Sequence, residues 1–213
     1  MGGRSGFWAA LALALAGPAA AQGPTAAPAA PAGCEFHAWP GDGLMSVFHG
    51  WLHGGTVNGQ IQGRPGYPTV PPDPLSPATQ AEVLAETQPQ RLLRHPDYRL
   101  IVHEEALPSR TIRAARNRLT ESASPCYAEL IVDDVVLQQD YVNGSKLKIL
   151  FRYRDFGPSI FPDSFATWVE VPLAAFPPRG PEQLNAALAE IRQAFRQNIG
   201  RFAIATLRPR RRR

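Results

Sequence analysis

The sequence has none of the short motifs that announce common chemistries: no G-x-S-x-G nucleophile elbow, no Walker loop and no dinucleotide fingerprint. Gly54-Gly55 and Gly63-Arg64-Pro65-Gly66 lack the helix start that anion cradling requires, so nucleotide chemistry is disfavoured. Charged residues make up only 19% of the chain, and there are two cysteines. No segment recurs with a period of 20 to 50 residues, which sets solenoids aside. Past the N-terminus, no apolar run approaches the roughly 20 residues needed to cross a bilayer as a helix. The 22 prolines and 18 glycines make a loop-rich chain, yet they stay below the roughly 25 to 30% typical of low-complexity sequences. What is left is 213 residues, 44% of them hydrophobic, enough for about one domain with a single core.

Residues 1–21 read as an export signal. Arg4 precedes the apolar stretch Phe7 to Ala16, Gly17-Pro18 breaks any longer helix, and Ala19-Ala20-Ala21 supplies a small-residue cleavage site. A mature chain is expected from Gln22. Residues 22–33 hold Pro24, Pro28 and Pro31 among alanines with no large apolar side chain, a composition that makes an extended tether. Pro31-Ala32-Gly33-Cys34 resembles a lipoprotein box only superficially, because Pro31 replaces an aliphatic residue and Cys34 lies far from the apolar segment; a lipid anchor there is disfavoured. A periplasmic or secreted location follows as an expectation, and an oxidising compartment would pair Cys34 with Cys126.

Of the formal charge of +4, one unit is Arg4 and five are Arg208, Arg210, Arg211, Arg212 and Arg213, leaving −2 for the rest. The domain itself is therefore not basic, which argues against a specific nucleic-acid binder. The tail at 208–213 reads as a solvated terminus, with docking on an anionic surface as the functional alternative.

The pattern predicts an α+β domain over 34–207: a mixed sheet ending in an antiparallel meander, packed against two or three helices. Cys34 to Pro40 alternates as a short strand. Residues 41–75, rich in Gly and Pro, read as a long loop with room for one irregular helical turn or a hairpin. Ser76-Pro77 caps a helix that stops at Pro89; Tyr98 to Glu104 is a strand; Ser109 opens a second helix carrying Ile112, Ala115 and Leu119. Leu130-Ile131-Val132 suggests a strand buried on both faces. Asn143-Gly144 marks a hairpin into the alternating Leu147, Ile149, Phe151 and Tyr153, and Phe165, Thr167, Val169, Val171 and Leu173 follow as a third strand. From Pro181 onward, Leu184, Leu188, Ile191, Phe195, Ile199 and Phe202 make the stripe of a terminal amphipathic helix, with Glu190 on the opposite face.

In this order of elements, over residues 76–204, the chain resembles the envelope α/β domain of the curli secretion channel subunit, the lipoprotein activators of penicillin-binding proteins and the N-terminal domain of the Tol translocation protein. A helix leads to a strand like Tyr98–Val102, a second helix to a strand like Cys126–Val136, a hairpin partner like Lys146–Asp155 follows, and a helix like Pro181–Phe202 closes the sheet. The glycine-plus-acid pair that often precedes the family's central strand is replaced by Ser124-Pro125-Cys126. The resemblance implies a module that binds other envelope proteins.

The residues allow two main functional readings, with a structural subunit that self-assembles through a free sheet edge as a third. The first is a non-catalytic binding or assembly module without a cofactor, whose partner is an envelope protein or polymer. It would use aromatic anchors in the 39–67 segment, Phe48, Trp51 and Tyr67, with a strand face bearing Lys148, Arg152 and Arg154. The second is a periplasmic metal-dependent hydrolase or small-ligand binder built on His49 and His53, with a third ligand from His37, His103 or Glu104. Glycines around that His pair, and the lack of a Glu between them, weigh against the second. Asp133-Asp134 and Glu104-Glu105 are either acid/base pairs or, more blandly, a bulge or outward pair and a solvated strand end.

Overall fold

The computed structural model describes residues 33–49, 56–58, 73–140, 143–157 and 162–207, with the backbone alone at 48, 49 and 56–58. Residues 1–32, expected to hold an export signal and most of a tether, and Trp51, His53, Tyr67 and the terminal arginines lie outside the described residues. Seven strands form one mixed sheet: β1 (Glu35–Trp39), β2 (Met45–His49), β3 (Thr56–Asn58), β4 (Arg99–Val102), β5 (Tyr127–Asp140), β6 (Gly144–Gly157) and β7 (Asp163–Leu173). Between and after them come α1 (Pro77–Thr87), α2 (Pro89–Leu92), α3 (Ser109–Ala114) and α4 (Leu184–Thr206). The α+β class and the C-terminal meander are as the sequence predicts.

Strand β5 organises the sheet. One edge pairs antiparallel with β6 along its length, from Tyr127↔Gly157 to Asp140↔Gly144. Its other edge is shared by two short parallel strands in tandem, β1 from Glu35↔Tyr127 to Trp39↔Ile131 and β2 from Met45↔Val136 to His49↔Asp140. Strand β4 extends the sheet beyond β1, β3 pairs antiparallel with β2, and β7 with β6. Of the alternatives open for 41–75, the antiparallel pair of β2 and β3 is the hairpin, while the parallel pairing of β2 with β5 goes beyond what was expected of a loop. Five residues were too few to show alternation among their glycine and proline neighbours.

The step from β1 to β2 is fixed by size and hydrogen bonding. Gly41 lies so close to β5 that a Cβ there would stand 3.0 Å from the Val132 carbonyl oxygen. Buried Gln80 of α1 accepts from the Gly41 N–H (2.9 Å) and donates to the carbonyls of Gly41 (3.2 Å) and Leu75 (2.8 Å). Opposite the step, β5 carries a bulge: Val132 faces Phe151 and Asp134 faces Leu150, leaving Asp133 as the extra residue. Before the bulge Ala128, Leu130 and Val132 join the main core; after it Val135 and Leu137 do. Both aspartates consequently share the other face.

On the core face, α1 and α4 cover the sheet. Phe36, Leu84, Leu130, Phe151, Phe195 and Phe202 are fully buried, and the Phe202 ring lies 5.1 Å from Phe151 and 5.7 Å from Phe165. Ser76 caps α1, its Oγ accepting from the Thr79 N–H (3.1 Å), with Pro77 at the first turn. Two details correct the expected helices. The buried face of α4 starts at Ala187, not Leu184, which is 36% exposed; and Glu190, expected to face solvent, accepts the N–H groups of Ala174, Ala175 and Phe176 at 2.7 to 2.8 Å, fixing the turn after β7. Helix α3 ends at Ala114 because Ala115 turns extended, gives its carbonyl to Arg154 (3.0 Å), and sends Leu119 toward Glu129.

A disulfide joins Cys34 to Cys126, at the entries to β1 and β5, with Cα atoms 4.7 Å apart. Among the described residues no helix is long and apolar enough to cross a membrane.

Phe202→Ala should cost about 3–5 kcal/mol by removing a ring from the centre of the core. Leu184→Ala should stay within about 0.5 kcal/mol. Equilibrium denaturation checks both; equal losses would mean the apolar stripe of α4 is misplaced.

Candidate functional site

The face of the sheet away from α1 and α4 is divided at the β5 bulge. Its first half carries Glu35, His37 and Trp39 from β1, Arg99 from β4, Tyr127, Glu129, Ile131 and Asp133 from β5, and Arg152, Arg154 and Phe156 from β6. Residues 105–125 fold over it, packing Leu107, Ile112 and Leu119 onto Trp39 and Ile131.

Beneath this cover lies a layer of carboxylates paired with arginines, two of the arginines largely covered and Arg99 exposed at the edge. Arg154 Nε donates to Glu129 Oε2 (2.6 Å), Arg152 Nε to Asp133 Oδ2 (2.6 Å) and Arg99 to Glu35 Oε1 (2.5 Å). Glu129 is fully buried and also accepts the Leu119 N–H (2.7 Å); Asp133 accepts the Ser109 hydroxyl (3.2 Å). These bonds tie cover to sheet, so losing one partner strands a buried charge.

Glu35 sets the protonation pattern of its neighbours. A carboxylate only accepts, so the His37 Nε2–H, 3.2 Å away, donates to it; His37 Nδ1 is then an acceptor and receives the His103 Nε2–H at 2.9 Å. Trp39 stacks on His103 with centroids 4.1 Å apart and planes within 3°. The Ser122 hydroxyl also donates to Glu35 (2.5 Å), and with His37 and Arg99 it holds that carboxyl at about 2. Burial pushes both imidazoles below their ordinary value.

Serine, glutamate and histidine here do not form a nucleophilic triad. Ser122 donates to the carboxylate, and neither imidazole is placed to take its proton. Arg118, over the Tyr127 ring at 4.8 Å, is spent on the carbonyls of Ser122 (3.2 Å) and Ser124 (3.0 Å). Among the described residues, no group of three or more His, Cys, Asp or Glu is arranged to hold a metal ion.

Among the described residues, the second half of this face is left open. Met45 and Val47 of β2, Val136 of β5, Leu150 of β6 and Trp168 of β7 belong to neither core cluster, and Met45 and Trp168 are 45% and 42% exposed. Lys148 lies over the Trp168 ring at 5.1 Å, and Lys146 pairs with Glu170 at 2.9 Å. Where the halves meet, a groove of about 300 Å³ is lined by Ile112, Arg113, Ile131, Arg152, Arg154 and Ala166. Burial and neighbouring Asp133 push the Asp134 carboxyl up, opposed by Arg113 and Arg152.

Of the strand cations expected on an exposed face, Lys148 is there. Arg154 is buried and bound to Glu129, and Arg152 is partly covered and bound to Asp133; both needed a counter-ion under the 105–125 cover. Phe48 and His49 lie in β2, with side chains outside the described residues, as are Trp51, Tyr67 and His53 entirely. His103 is engaged by His37. Trp168 went unnoticed although it sits on the non-core parity of its strand, between Thr167 and Val169, where a large aromatic signals a use other than packing.

No family model and no curated protein matches this chain. Among solved structures it is similar to protein XCC0632 from Xanthomonas campestris, of family DUF330, at 14% identity over 85% of this chain and 88% of that one, with a TM-score of 0.41. It is also similar to an uncharacterized protein at 12% identity over 83% and 94%, with a TM-score of 0.36. Neither bears on the envelope proteins whose element order the chain resembles.

The histidine pair and Glu35 set a pH response. A folded state that lowers imidazole affinity for protons is stabilised above the ordinary value of 6.5 and loses that stability on acidification below it. Glu35 adds a second loss as pH falls from 4.5 toward 2. Thermal unfolding should therefore give a Tm that declines below pH 6.5, and His37→Gln with His103→Gln should remove that first decline while leaving the one below 4.5. A wild-type Tm unchanged between pH 7 and 5 would contradict the assignment.

Proposed function

We propose that this chain is a non-catalytic binding or assembly module of the cell envelope, and that its partner protein docks on the open half of the sheet. The observation that carries this reading is the contrast between the two halves of one sheet face. In the covered half the buried carboxylates are matched to arginines; in the open half an aromatic ring, a thioether and aliphatic side chains face solvent beside lysines. An exposed Trp beside an exposed Met is the composition of an interface core rather than of an ordinary surface.

The export signal and the disulfide suit an oxidising compartment, and the resemblance in element order to envelope domains points the same way. The terminal arginines would add attraction to anionic lipid or polymer, lost beyond about 10 Å at ordinary ionic strength.

A photo-reactive side chain in place of Trp168, in the exported protein within its own cells, should give a discrete protein adduct. The same group in place of Ile204, which is 60% exposed on α4, should not. Absence of an adduct at 168, or one of equal yield at 204, would remove the open half-sheet as the docking face.

A further inference from the structure

We infer that the end of the domain formed by α2 and the last turns of α4 is a second interaction surface, and that it seats against an anionic phospholipid bilayer. It lies across the sheet from the open half and goes beyond the docking reading above. Helices α1 and α4 run side by side in the same direction, because Glu82 pairs with Arg192 and Glu86 with Arg196, both at a separation of 110 residues. The same offset sets α2, which follows α1, beside the final turns of α4, and the two helices are in contact there. Leu92, Ile204 and Leu207, three of the six large apolar side chains exposed among the described residues, therefore stand at one end.

The core has no use for them. Buried Phe195 faces the sheet, and Ile204 follows it by two and a half turns at about 3.6 residues per turn, so it points away from the sheet. Gly200, Ile204 and Leu207 share this outer stripe at steps of four and three, and a Cβ at Gly200 would meet nothing within 4 Å. Earlier on the same outer face α4 is polar, with Gln193, Arg196 and Gln197. Scattered apolar side chains are ordinary on a surface; what marks these is the charge around them.

Arg91 and Arg94 stand on either side of Leu92 and its buried neighbour Leu93, are exposed, and enter no ion pair among the described residues. Arg201, a turn before Ile204, gives a guanidinium N–H to the Glu170 carbonyl rather than to a carboxylate. Arg208, Arg210, Arg211, Arg212 and Arg213 follow Leu207 in the chain. On this side of the sheet Glu82 and Glu86 are taken by Arg192 and Arg196, and Asp155 by His95 and the Gly157 N–H, while Asp97 and Asp163 are outnumbered by these eight arginines. Apolar side chains set among arginines suit a bilayer surface, where cations are drawn to acidic headgroups and the apolar groups enter the acyl boundary. An anionic polymer would satisfy the arginines and leave Leu92, Ile204 and Leu207 in water.

The test uses the exported protein purified from its own cells, with vesicles of phosphatidylcholine alone or mixed with phosphatidylglycerol, and with inorganic polyphosphate as a ligand that offers charge only. The protein should sediment with the phosphatidylglycerol vesicles and stay in solution with phosphatidylcholine alone. Ile204→Gln combined with Leu207→Gln should weaken vesicle binding about tenfold and leave polyphosphate binding as in the wild type. Arg91→Gln combined with Arg94→Gln should weaken vesicle binding about fivefold or more. Trp168→Ala, on the other face, should bind vesicles as the wild type does, and a photo-reactive side chain in place of Ile204 should label phospholipid. Unchanged vesicle binding in the Ile204 and Leu207 variant would reduce this end to a charged tail and overturn the inference. Equal binding to phosphatidylcholine, loss of vesicle binding on Trp168→Ala, or a protein adduct at position 204 in place of a lipid one would overturn it as well.

Discussion

Everything in this fold hangs on the pairing of one long strand, β5, with a continuous partner on one edge and a broken one on the other. Strand β6 matches it residue for residue except at the Asp133 bulge and at its end, where Phe156 is skipped, while β1 and β2 meet it in tandem with Gly41 at the join. The join works because Gly41 tolerates a backbone approach that a Cβ would obstruct, and because Gln80 supplies the hydrogen bonds the interrupted ladder would lose. The bulge keeps Val135 and Leu137 on the core face while turning both Asp133 and Asp134 to the other.

The division of the outer face follows. On the disulfide side of the bulge the cover held by Cys126, α3 and residues 115–125 buries carboxylates that must each find a cation, and Arg99, Arg152 and Arg154 are in reach on neighbouring strands. Such pairs add little net stability over an apolar layer, but they hold β4 on β1 and β6 on β5 in one register, while the bonds from Ser109, Leu119 and Ser122 to the same carboxylates hold the cover on the sheet. Past the bulge, among the described residues, neither core cluster takes in Met45 or Trp168. A partner on that floor would complete the second layer that the first half of the face already has.

Much of the architecture was legible because it depends on local periodicity. The three C-terminal strands alternate over long stretches, and α4 repeats its apolar residues at helical spacing, so one-sided burial was written in the order of residues. The tandem strand β2 was not, since five residues between glycines carry no readable period. The ion layer was hidden for another reason: Glu35, Glu129 and Asp133 find Arg99, Arg154 and Arg152 only through register, at separations of 19 to 64 residues. The histidines show the same limit. His37 and His103 meet across adjacent strands, whereas the spacing that drew attention to His49 and His53 presumed a helix where the backbone at His49 is strand.

Hydroxyl-radical footprinting of the native, oxidised protein tests the division of the face most directly, because it places three side chains of one sheet surface on a common scale. Trp168 and Met45, 42% and 45% exposed, should be modified rapidly, while Trp39, 4% exposed beneath the cover, should be protected until unfolding. Oxidation of Trp39 at the rate of Trp168, or protection of Trp168 and Met45 in the isolated chain, would contradict a sheet sealed on one side of its bulge and open on the other.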